Sequence, residues 1–309
     1  MSTPTRNKIF VAIGVLFVVI IGAVIFFFGR GSSETTVDEP TTSTATSVET
    51  VIGHSVEGRD ITAHTFGTGD THLLFVGGIH GGYEWNSVLV AYNLIDYLNG
   101  HLEDVSENIS ITIVPNANPD AVFDVTGKED VFTSADVSTS VDTLKAARFN
   151  TNKVDLNRNF ACNWQPTGTW QSKTVSAGTE AFSEPETQAI RDLVQSLHPV
   201  ATVFWHSASG AVYASHCSPA VAGAEAGGDT VSASDRVLMN TYAKASGYPA
   251  VDTFDSYPVN GAADDWMSTI NLPAVTVELS SHDFVEWEKN LAGIKAVIEH
   301  YSYDEGSRP

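Results

Sequence analysis

"FVGGIHGGYEWNS", residues 75–87, is the stretch on which the fold turns. The apolar run from Leu73 to Val76 has the length and composition of a buried strand. Two glycines follow, then His80, two more glycines, Tyr83 and Glu84, and a helix-like apolar pattern begins at Trp85. Glycines tolerate backbone conformations closed to other residues. A tight hinge at a strand end therefore lets an imidazole and a carboxylate converge on one point.

Outward from that hinge, strand-like and helix-like runs alternate. "HLLFVGGI" leads into an amphipathic helix over 85–98, and "ISITIVPNANPD" is a second strand ending in turn residues. Ser183, Pro185 and Glu186 open another helix, with the Ser-x-x-Glu spacing of a capping box and a proline in the first turn. Pro199 stops it. "VATVFWH" is a third strand, 234–246 a helix closed by Gly247, "PAVTVEL" a fourth strand, and 283–301 a last helix. The alternation predicts an α/β fold: a mixed, mainly parallel sheet with helices on both faces, formed by one domain over 51–309.

The first fifty residues do not belong to that core. Residues 9–28 form an apolar run interrupted only by Gly14 and Gly22, and about 20 such residues span a bilayer. Arg6 and Lys8, in the short segment 1–8, precede that run and favour a cytoplasmic N-terminus, with the folded domain extracytoplasmic on a single-pass membrane anchor. The competing reading is a cleaved signal peptide, whose apolar region is normally shorter, about 7–15 residues. Residues 29–50, rich in Ser and Thr, read as a disordered tether. The net charge of −21 argues against sequence-independent nucleic-acid binding, which needs a basic surface. The two cysteines, Cys162 and Cys217, form no CxxC pair. Outside the cell they can form a disulfide or remain two thiols.

Four strand ends carry residues suited to chemistry: His80 and Glu84 after the first, Asp155, Asn157 and Arg158 in "VDLNRNF" beyond the second, His206 at the third and Glu278 at the fourth. Two histidines and two carboxylates at one sheet edge are the ingredients of a catalytic zinc site. Singly, each has an ordinary reading: a satisfied histidine, a carboxylate at a helix start, a surface ion pair. Glu278 is harder to dismiss, because an unpaired carboxylate at the end of an apolar strand is costly.

Together these segments resemble the zinc carboxypeptidases, the carboxypeptidase A-like metallopeptidases, in a bacterial-type form. "GGIHGGYE", "NPD", "ARFNTNKVDLNRNF", "FWHS", "YPVNGAADDW" and "VTVEL" follow one another in the family's order. The resemblance implies one Zn²⁺ held by His80, Glu84 and His206, with Asp155 bonded to the far nitrogen of His80. It implies that Asn157 and Arg158 grip the free carboxylate of a peptide substrate, that Arg148 stabilises the oxyanion and that Tyr257 closes over the substrate. Glu278 would serve as general base and then as proton donor. Asp264 falls at the base of the side-chain pocket, where it would favour a cationic terminal residue; otherwise it faces solvent beside Asp265.

One departure stands out. The family's usual first motif is H-x-x-E, and here it is H-G-G-Y-E. Either a bulged loop returns Glu84 to the metal, or Glu84 misses it. Three rivals remain: a cell-wall enzyme acting on diaminopimelate-containing muropeptides, a small-molecule deacylase of the aspartoacylase or succinylglutamate desuccinylase type, and a membrane-anchored binding protein with a degenerate site. "HSASG" is not a G-x-S-x-G elbow and there is no H-E-x-x-H helix, so serine-hydrolase and thermolysin-like routes are set aside.

Overall fold

The computed structural model describes residues 47–217 and 231–302. The chain enters through strands β1 (Val48–His54), β2 (Asp60–Gly67) and β3 (Thr71–Val76), crosses helix α1 (Trp85–Gly100), and returns as β4 (Ile109–Val114). Two short helices follow, α2 (Pro119–Thr126) and α3 (Val141–Ala146), then the hairpin of β5 (Thr167–Trp170) and β6 (Lys173–Ser176). Helix α4 (Pro185–Leu197) precedes β7 (Ala201–Ser207) and β8 (Ala211–Ala214). The remainder is α5 (Ala233–Ser246), β9 (Ala250–Val251), α6 (Ala263–Thr269), β10 (Ala274–Leu279) and α7 (Trp287–Ser302).

Eight strands form one sheet in the order β1-β2-β4-β3-β7-β10-β8-β9. The four central strands, β4, β3, β7 and β10, run parallel. Antiparallel pairs lie outside them, β1 with β2, β2 with β4, and β10 with β8. Those four parallel strands are the four expected from the sequence. Both faces are covered, which is why they read as continuous apolar runs. Leu73, Phe75, Val203 and Trp205 pack on one face with residues of α1, α5 and α7, while Leu74, Val76 and Phe204 pack on the other with Ile190 of α4 and Trp266 of α6.

Some boundaries differ from expectation. Strand β1 begins at Val48, so the last residues of the expected 29–50 tether belong to the sheet. The rest of that tether and the apolar run 9–28 lie outside the described residues, among which no helix is long and apolar enough to cross a membrane. The expected capping box at Ser183 does not form. Glu184 is the cap residue of α4, without a side-chain cap bond. Asn159 Oδ1 accepts from Glu184 N and from Thr187 Oγ1, and the Glu186 carboxylate accepts from Val56 N and Asn150 Nδ2. Tertiary partners thus replace the local pair. Pro185 does open the helix. The last helix starts at Trp287, four residues later than the pattern implies. Cys162 and Cys217 are joined by a disulfide, with Cα atoms 5.7 Å apart.

Candidate metal centre and substrate cavity

From β3 the chain crosses one way to β4, and from β7 the sheet continues the other way to β10. The crevice at such a reversal, outside the carboxyl ends of parallel strands, is the common ligand position in open α/β sheets. His80 follows β3, and His206 is the penultimate residue of β7.

The extra residue of H-G-G-Y-E is absorbed by a short 3₁₀ turn over Gly81–Glu84. Its two glycines let that turn lie flat on the neighbouring helix. Gly81 has φ +45°, and a Cβ on Gly82 would stand 2.5 Å from the Ala121 carbonyl oxygen. The turn therefore returns Glu84 to His80 instead of carrying it outward. His80 Nδ1 lies 2.8 Å from Glu84 Oε1, His206 Nδ1 2.9 Å from Glu84 Oε2, and the two Nδ1 atoms 3.1 Å from each other. Tyr83, the added residue, turns its ring towards Trp170 and His282 in the cavity wall.

Three ligand-type atoms from His80, Glu84 and His206, all buried, lie within 4.8 Å of one another. A tetrahedral centre with bonds of about 2.0–2.1 Å needs ligand atoms roughly 3.3 Å apart. The observed spacings are close to that. The tautomer is also prepared. His80 Nε2 is 3.2 Å from Asp155 Oδ1, so the ring donates there and keeps a lone pair on Nδ1. His206 Nε2 is buried with no hydrogen-bond partner among the described residues. Two imidazoles and one carboxylate form a set that can hold zinc while leaving a coordination position open.

The charges around this trio are buried and face partners of opposite sign. Asp155 is fully buried and also accepts from Arg148 Nε at 2.9 Å and Asn157 N at 3.1 Å. Burial opposes its charge, but Arg148, Arg158 and His80 hold its carboxyl far below the usual range. Burial likewise opposes Glu84, and the two imidazoles outweigh it, holding this carboxyl well below its ordinary value. Arg148 Nη1 stands 3.5 Å from Glu84 Oε1, and its guanidinium stacks 4.8 Å over Trp170.

Over these residues opens a cavity of about 390 Å³. Glu278, on β10 beside His206 of β7, lines it. Burial and the nearby Glu84 push the Glu278 pKa up to about 7 against the pull of His206 and Arg148, and its Oε2 is buried without a partner among the described residues. Farther along the wall lie Asn157, Arg158, Tyr257 and Asp264. Arg158 uses three N–H groups, on Nε and Nη2 to Thr169 O and on Nη1 to Asn157 O. Of the five that a guanidinium carries, one on each of Nη1 and Nη2 is left. Asn157 Oδ1 accepts from Ala263 N, which leaves the amide nitrogen for the cavity. Asp264 is 8% exposed, in the cavity wall rather than in open solvent. Asp265 lines the same wall, and burial together with Asp264 pushes its carboxyl well above the usual range.

All the residues singled out in the sequence, the cysteine pair included, thus meet at or just behind one cavity. No motif or spacing singles out His282, Asn86 or Trp170. His282 and Trp170 line the cavity, and buried Asn86 supports it from behind.

Comparison with known proteins agrees with this geometry. The family model described as zinc carboxypeptidase matches residues 36–295. A zinc carboxypeptidase from Simulium vittatum is 29% identical over 255 residues, covering 76% of this chain and 80% of that protein. In fold, the chain is similar to the carboxypeptidase A of Helicoverpa armigera, with a TM-score of 0.65 at 20% identity, covering 85% of this chain and 70% of the other. It is also similar to a murein-tripeptide amidase of Escherichia coli O157, with a TM-score of 0.53 at 20% identity, covering 86% and 97%.

Proposed function

The chain belongs to the zinc carboxypeptidase family, as a zinc metallopeptidase, and from that premise we propose that it removes a cationic residue from the free C-terminus of a peptide. The observation that carries this reading is the joint presence, around one cavity, of the buried His80–Glu84–His206 trio, the unpartnered Glu278 oxygen and the adjacent carboxylates of buried Asp264 and half-buried Asp265.

In this reading His80, Glu84 and His206 hold the zinc, which when bound supplies a Lewis acid that activates water and polarises the scissile carbonyl. Arg158 meets the substrate's terminal carboxylate with its two remaining N–H groups, a planar two-point match, and Asn157 Nδ2 adds a third donor. Tyr257 covers the bound residue. Arg148, held by Asp155 behind it, directs positive charge at the oxygen that becomes negative during attack. Glu278 accepts a proton from the attacking water at Oε2 and then delivers it to the departing amine. A pKa near 7 suits a group that must first take and then give a proton.

The terminal side chain extends to Asp264 and Asp265. Two carboxylates crowded together in the cavity wall raise each other's cost of ionisation. A substrate ammonium or guanidinium between them relieves that repulsion, whereas an apolar side chain leaves it in place. The amine end of diaminopimelate has the same chemistry, so action on muropeptides is a second reading, supported by the fold likeness to the murein-tripeptide amidase. We also propose that residues 9–28 anchor the enzyme in a membrane with the catalytic domain outside the cytoplasm. The functional test compares release of terminal Lys and terminal Phe from otherwise identical peptides, by the wild type and by Asp264→Ala. The expected outcome is a wild-type preference for Lys that Asp264→Ala loses. Equal wild-type rates for the two peptides would refute the cationic pocket, and no zinc-dependent release of either would refute the peptidase reading.

A further inference from the structure

His282 belongs to a hydrogen-bond chain whose proton positions can be read from one end. Buried Asn86 sits at the start of α1, and its Nδ2 donates to Ser281 O at 2.6 Å and to Phe284 O at 3.0 Å. The flipped amide would set an oxygen against two carbonyl oxygens, so this orientation is fixed. Asn86 Oδ1 is then an acceptor, and Ser207 Oγ donates to it at 3.0 Å. A hydroxyl has one proton to give. The second neighbour of Ser207 Oγ, His282 Nδ1 at 2.8 Å, must therefore be the donor. With the proton on Nδ1, a neutral His282 carries a lone pair on Nε2. Burial lowers its pKa, keeping the ring neutral near pH 7.

That lone pair faces a specific kind of partner. His282 lines the cavity, its ring tilts against Tyr83 at 4.5 Å, and its Nε2 makes no hydrogen bond among the described residues. An unprotonated ring nitrogen accepts from a donor and repels carbonyl and carboxylate oxygens. Among the groups that an extended peptide presents at regular intervals, only the backbone N–H qualifies. His282 has no hydrogen bond or ring contact with Asn157, Arg158, Tyr257 or Asp264 among the described residues. It is tied instead to Ser207, next to His206, and to the 281–284 loop. The substrate segment beside it is thus the one that continues past the cleaved bond.

We infer that His282 is a substrate-binding residue whose Nε2 accepts a hydrogen bond from a backbone N–H on the amino side of the scissile bond, held in that tautomer by Ser207 and Asn86. This rests on the metallocarboxypeptidase reading above. The extra Tyr83 of the 3₁₀ turn packs against the ring and holds it in place.

The test pairs substitutions with N-methylated substrates. His282→Asn keeps a nitrogen near the Nδ1 position and loses the acceptor. His282→Gln puts an amide oxygen near the Nε2 position. A tetrapeptide is methylated at one backbone nitrogen at a time on the amino side of the cleaved bond, and kcat/KM is measured for each enzyme. The wild type is expected to lose about tenfold at one of these nitrogens. His282→Asn should lose about tenfold on the unmodified peptide and nothing more on methylation at that nitrogen, while His282→Gln recovers part of the rate. The inference is overturned if no methylation slows the wild type, or if methylation slows His282→Asn as much as it slows the wild type. Thermal unfolding of the variants separates a packing defect from a lost contact, because a packing defect leaves the methylation penalty intact. A wild type that cleaves none of these peptides removes the peptidase reading itself, a different result from a wild type that cleaves them without a methylation penalty.

Discussion

Asp155→Asn probes the support behind the metal centre. The carboxylate is fully buried and uses both oxygens, Oδ1 for His80 Nε2 and Asn157 N, and Oδ2 for Arg148 Nε. An asparagine of the same shape has one oxygen. Whichever way its amide turns, an NH₂ group faces either the His80 and Asn157 donors or the Arg148 donor. If the oxygen stays with His80, the imidazole keeps its place but loses the anion that makes Nδ1 a stronger ligand. Such outer partners are worth about 10–100-fold in metal affinity, which is about 1.4–2.7 kcal/mol. Arg148 is 3% exposed and, among the described residues, keeps only Glu84, at 3.5 Å, as an anionic partner. Removing one partner of a buried ion pair costs about 3–5 kcal/mol, and the Glu84 contact should hold the loss near the lower figure. Two assays separate these effects: competition with a chelator for zinc, and urea unfolding of the metal-free protein. Zinc affinity within twofold of wild type would refute the claim that Asp155 tunes the ligand. Unchanged unfolding would refute the claim that it neutralises a buried guanidinium.

Other expectations can be checked as directly. Glu278→Gln should lower kcat by about 10²–10⁴-fold while zinc content measured by mass spectrometry stays at one per chain. Asp120 is buried, and although burial raises its pKa, donors from Ser55, Glu57 N, Arg59 and Thr151 hold it below its ordinary value. Its folded pKa is thus depressed, so its contribution is present above the unfolded value of about 3.9 and is lost as pH falls through the folded value. Urea unfolding of Asp120→Asn should show a shallower loss of stability than wild type on acidification below about pH 5; parallel curves would count against it. The Cys162–Cys217 bridge has a sequence separation of 55, worth up to about 4 kcal/mol by loop closure. Replacing both cysteines with serine should lower the denaturant midpoint accordingly.

The parallel centre of the sheet was legible because β3, β4, β7 and β10 are buried on both faces and so read as continuous apolar runs. The antiparallel margin was not. Strand β1, mostly exposed, has no apolar period, and the β5–β6 hairpin is mostly Gly, Thr, Lys and Ser, with only Trp170 and Val175 as large apolar residues. The capping box over Ser183–Glu186 failed for a related reason: local spacing states what a side chain can do, and Asn159, Asn150 and Val56 offered better partners from afar. In the site, the residues that carry motif spacing were readable, and Glu84 was the uncertain one. Its return to His80 depends on how closely Gly81 and Gly82 approach α2, a contact that no spacing encodes. His282 was invisible because nothing marks it locally; its tautomer is set by Ser207, 75 residues away, and by Asn86, 121 residues beyond that.

Metal stoichiometry under native mass spectrometry, for the wild type beside Glu84→Ala, decides whether His80, Glu84 and His206 form the metal centre. One zinc per chain in the wild type and a sharp loss in the variant are the predicted results. A variant that keeps its zinc with wild-type resistance to a chelator would mean that the 3₁₀ turn does not deliver Glu84 to the metal, and the proposed ligand set would be wrong.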